Sequence, residues 1–140
     1  MALAIVVTLE KDLPDPAAAA AYAKAGSGKA LARELAKVDF AARCVKVTQP
    51  SEMISESQAA LAEQMRESGM DPGKMRLPPE MWYSAGDGLK SVRALIEYVG
   101  ANLNDFKQPN PILRDLKAVD DLLTAAEKSG TRFHFTKTNM

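Results

Sequence analysis

Cysteine, histidine and tryptophan each occur once in the 140 residues, and neither sign of charge prevails, with 18 lysines and arginines against 18 aspartates and glutamates. One cysteine excludes an intrachain disulfide and fits a reducing compartment. One histidine excludes a multi-histidine metal site, and the cysteine and carboxylates show no ligand spacing, so neither a metal nor another cofactor is expected. The charge balance removes the whole-molecule field that a nucleic-acid binder uses. No apolar run reaches the roughly 18 residues that cross a bilayer. The apolar start, MALAIVVTLEK, lacks the basic leader of a secretory signal. The expectation is a cytoplasmic protein, in contact with neither nucleic acid nor membrane.

Known catalytic signatures are equally scarce. Gly26-Ser27-Gly28-Lys29 resembles the end of a phosphate-binding loop, but Ala23 and Ala30 occupy positions where that loop needs glycine and a magnesium-holding hydroxyl. A flexible turn and helix cap accounts for it. No serine sits in a nucleophile elbow. Cys44 closes an apolar stretch and reads as a small buried hydrophobe rather than a nucleophile. No local constellation names a reaction.

What is present is the patterning of a folded α+β domain spanning 1–140, long enough to bury a core unaided. Leu3, Ile5, Val7 and Leu9 alternate with Ala4, Val6 and Thr8, as in a strand covered on one side and partly on the other. Thr131 to Lys137 alternates too, with Phe133 and Phe135 on one face and Arg132, His134 and Thr136 on the other. Between them, helical spacing appears over Ala17–Ala25 (anchored only by Tyr22) and along Leu31, Leu35, Val38, Ala42 and Val45, with Ser27 as cap. Ser55-Glu56-Ser57-Gln58 has capping-box spacing before a short helix that Gly69 stops. Ser84 caps a helix carrying Leu89, Val92, Ile96 and Val99, and Asn110-Pro111 opens one that runs to Gly130. The fold predicted is a small sheet of the N- and C-terminal strands with about four helices packed on it. Val45-Lys46-Val47-Thr48 also alternates, so a third strand over 44–48 is the alternative to a longer preceding helix.

The segment 70–88, MDPGKMRLPPEMWYSAGDG, is too irregular for a helix and too apolar for a solvated linker. Met75, Leu77, Met81, Trp82 and Tyr83 need cover from the protein's own core or from a partner. Methionine adapts to variable surfaces and tryptophan anchors binding hot spots. The reading favoured on sequence is therefore a non-catalytic binding or accessory protein using this loop, with a second copy or another protein as partner. The alternative is a small-molecule enzyme or sensor whose pocket draws on Trp82, Tyr83, Arg93, Tyr98 and His134. His134 reads as a surface or half-buried strand residue unless a carboxylate orients it for acid–base work.

Overall fold

The computed structural model describes residues 3–14, 16–25, 28–74, 76–77 and 79–139. Two strands and six helices follow in the order β1 (Leu3–Leu9), α1 (Pro16–Ala25), α2 (Lys29–Arg33), α3 (Leu35–Cys44), α4 (Gln58–Glu67), α5 (Ala85–Ala101), α6 (Pro109–Lys128) and β2 (Phe133–Asn139), with short 3-10 turns between some of them. The class is α+β, with more helices than the four expected. No helix among the described residues is long and apolar enough to cross a membrane.

β1 and β2 pair antiparallel, Val7 opposite Phe135 and Thr8 opposite His134. This register fixes two faces, because side chains alternate along each strand. Ile5, Val7, Leu9, Phe133 and Phe135 face the helices, where the two phenylalanine rings meet edge to face, 5.4 Å between centroids. Ala4, Val6, Thr8, His134, Thr136 and Thr138 form the other face. Just past the strands, Glu10 N–H donates to the Arg132 carbonyl, and the Arg132 guanidinium pairs with Glu10 and holds its carboxyl below the usual carboxylate range.

α5 and α6 are the broadest helix pair and run antiparallel, Gly86 lying beside Glu127 while Arg93 meets Asp120. Their facing stripes, Leu89, Val92, Leu95 and Val99 against Ile112, Leu116, Val119 and Leu123, supply most of the core. Gly88 lets α5 close on β2. A Cβ there would overlap the Phe133 ring and come within 2.9 Å of a Leu123 methyl. Helix propensity alone would make Gly88→Ala stabilising by about 1 kcal/mol. Overpacking a buried ring costs about 1–3 kcal/mol. A lower urea midpoint for Gly88→Ala is expected; an unchanged or higher one would show that the ring yields freely.

Three expectations are corrected. The segment 44–48 is not a strand: Lys46 turns left-handed (φ 60°), and the Lys46 and Val47 amides donate back to the carbonyls of Arg43 and Ala42. The residues that alternate in sequence are spent closing α3 in a Schellman turn, the motif that Gly69 and Gly130 make after α4 and α6. Places along β2 are taken instead by isolated bridges from Ile54 and Tyr83. The continuous helix from Lys29 is interrupted at Glu34 (φ −115°, ψ 27°). The buried Glu34 carboxylate accepts the amides of Lys107 (2.6 Å) and Gln108 (3.0 Å), immediately before α6. Finally, Ser57 rather than Ser55 caps α4, accepting Ala60 N–H at 3.1 Å, while Ser55 serves the 81–83 segment. Ser84 caps α5 as expected; the Ser27 cap lies outside the described residues.

β1 is tied down along its outer edge. Ile5 N–H donates to the Gly28 carbonyl and Val7 N–H to the Tyr22 phenol oxygen, 2.9 Å away. Burial pushes that phenol up to about 12, the Val7 amide offsetting part of the shift.

Candidate functional site

His134 is 2% exposed, not at the surface, because a connecting segment covers the polar face of the sheet. Tyr83 and Phe133 exchange backbone hydrogen bonds of 2.8 and 2.9 Å, and Met81 N–H donates to Ser55 Oγ at 2.8 Å. The segment is thus extended and antiparallel to β2, and the strand period sends Tyr83 and Trp82 to opposite faces. Tyr83 joins Phe133 on the helical side (6.4 Å) and donates its hydroxyl to the Glu52 carbonyl. Trp82 lies over the His134 ring, centroids 4.5 Å apart, and Glu80 brings a carboxylate oxygen to 2.6 Å from His134 Nε2.

His134 Nδ1 lies 3.0 Å from the Phe135 carbonyl oxygen and 3.3 Å from Thr136 Oγ1, while Nε2 faces Glu80 Oε2. Both ring nitrogens are engaged and Trp82 lies against the ring. His134 does not reach outward; it positions Glu80, whose other oxygen has no hydrogen-bond partner among the described residues.

Glu80 and His134 line a cleft of about 330 Å³ whose floor is the polar sheet face (Thr8, Thr136, Thr138) and whose wall is the start of α4. Thr8 and Thr136 hydroxyls share a 2.7 Å hydrogen bond, and Gln64 Nε2 donates to Glu56 at 2.8 Å. The lining thus offers a carboxylate, a histidine-held carboxyl and several hydroxyls. No group of three His, Cys, Asp or Glu side chains placed to hold a metal occurs among the described residues.

Of the residues singled out in the sequence, Trp82 and His134 come together and Tyr83 is their anchor. Leu77 is half-buried, its carbonyl meeting Gln58 Nε2 at 3.5 Å; Met75 lies outside the described residues. Arg93 is elsewhere, exposed on α5 and bound to Asp120 and Thr124. Tyr98 lines a separate groove beside α3. Cys44 is exposed at the end of α3, not buried. Glu80, Thr8, Thr136 and Glu56 were not assembled from the sequence. In the sequence Glu80 is an acid two residues before Trp82, and the threonines are polar members of alternating strands.

Compared with family models, curated proteins and solved structures, the chain matches none.

Proposed function

We propose that this chain is a small-molecule-binding protein whose site is the polar cleft over β2. The observation that carries it is Glu80, held at 2.6 Å by a histidine buried in the sheet, with no partner for its second oxygen among the described residues. Burying a titratable pair without need is costly, and a packed apolar face would serve stability as well. The volume, about 330 Å³, is at the lower end of small-molecule sites. The ligand is a small polar molecule carrying hydrogen-bond donors for Glu80 and Glu56. In an enzyme of this architecture Glu80 would touch the reacting group and His134 would be its positioning residue. A cytoplasmic setting goes with this reading, since the one cysteine is exposed and cannot form an intrachain disulfide.

Ala60 is exposed on the cleft's α4 wall and outside the core, so Ala60→Trp blocks the cleft while leaving Glu80 and His134 unsubstituted. Native mass spectrometry of gently purified protein, with a thermal-shift screen of polar metabolites, is expected to find a ligand that wild type binds and Ala60→Trp does not. No ligand in either measurement, or one that Ala60→Trp still binds, would refute the assignment.

A docking role for segment 70–88 rests on Met70 and Met81, its exposed large apolar side chains among the described residues. Trp82 and Tyr83 are half-buried, their rings engaged by His134 and Phe133, and this turns the weight toward the cleft.

A further inference from the structure

Phe40 on α3 is the most exposed large apolar side chain among the described residues, at 56%. It stands on a groove of about 400 Å³ lined by Ala36, Lys37, Phe40, Tyr98, Asp105 and Phe106, well away from the polar sheet face. Two exposed apolar neighbours in sequence, Val45 and Leu103, flank the elements that form it. The groove has opposite charges on its two walls: Lys37 on α3, and Asp105 at the end of the 3-10 turn Leu103–Asp105. Asp105 has no ion pair among the described residues, and Lys37 reaches Glu34 only at 3.7 Å.

A contact between identical copies about a twofold axis must be complementary to itself. A patch of one charge sign would repel its own copy. This one holds a protruding ring and a recess, and a cation and an anion on facing walls. The sheet offers no comparable route, because Gly28 and Tyr22 occupy the β1 edge at Ile5 and Val7, and Ser55 and Tyr83 occupy the β2 edge at Phe135 and Phe133.

We propose that the Phe40 groove is the contact face of a homodimer, with Phe40 of each copy seated against the other's groove and Lys37 of one facing Asp105 of the other. Analytical ultracentrifugation tests it on wild type, Phe40→Asp, Asp105→Lys and Met81→Asp. Met81 is 50% exposed and lines a different pocket, so its variant controls for apolar exposure in general. Wild type is expected to dimerise with a dissociation constant of about 1–50 µM. Phe40→Asp and Asp105→Lys should each weaken dimerisation at least about tenfold, and Met81→Asp should leave it unchanged. A wild type that stays monomeric at about 200 µM overturns the proposal. So does an undiminished dimer in either groove variant, or dissociation by Met81→Asp. All three positions are exposed, and superimposable circular-dichroism melts of dilute protein will show that the variants fold.

Discussion

Gly28→Ala is expected to remove much of the protein's stability and to lower its urea midpoint sharply. Gly28 sits at φ 76°, a conformation that costs a residue with a Cβ about 1–2 kcal/mol. The larger obstacle is β1 itself. A Cβ at this position would overlap the Ile5 carbonyl oxygen and lie 2.8 Å from the Ile5 carbonyl carbon. These are backbone atoms, so no rotamer change relieves the overlap, and moving them breaks the Ile5 N–H bond to the Gly28 carbonyl. That carbonyl also accepts Ala32 N–H, so a displaced Gly28 disturbs α2 as well. Strain and a lost buried hydrogen bond together amount to at least about 3–4 kcal/mol. Against a whole-domain stability of about 5–15 kcal/mol, much of the margin is gone. A urea titration followed by circular dichroism reads the loss directly. A midpoint within experimental error of wild type would mean that β1 and α2 part without cost.

Glu34→Ala comes second in size. The Glu34 side chain is buried, and its two oxygens take the amides of Lys107 and Gln108 ahead of Pro109, at the positive end of a 20-residue helix. Hydrogen bonds to a charged group contribute about 1.5–3 kcal/mol each when they can be removed singly. Truncation strands two donors and opens a small void, so a loss of about 3 kcal/mol is expected. Glu34→Gln keeps an acceptor of the same shape and should cost about half as much. The ordering Ala worse than Gln worse than wild type is the test. Equal losses for both would show that the void, not the acceptor, is what matters.

The elements that rest on neighbours in sequence were legible in it. The stripes of α5 and α6, the Ser84 cap, the glycine stops at Gly69 and Gly130, and the alternation of β1 and β2 each depend on residues within a turn or two. What escaped depends on partners far along the chain. Glu34 interrupts its helix for amides 73 and 74 positions away. Lys46 makes the left-handed turn usually given to glycine, so nothing local announces it. The alternation of β2 correctly turned His134 away from Phe133 and Phe135. It could not reveal that Glu80 and Trp82, more than fifty positions earlier, would cover that side. The candidate site is made of such crossings. That is why its residues looked unremarkable one at a time.

The pairing of the two strands also sets a clock. Thr8 and Thr136, hydrogen-bonded across the sheet, are 128 positions apart. While the chain is being synthesised, β1 waits through those 128 positions before β2 can pair with it. At about 5–20 residues per second that wait lasts on the order of ten seconds, far longer than the microseconds a helix needs. The helices can associate early, but the sheet, and with it the polar cleft, closes last. Until then the newborn chain carries β1 held at one edge by Gly28 and Tyr22 and unpaired at the other.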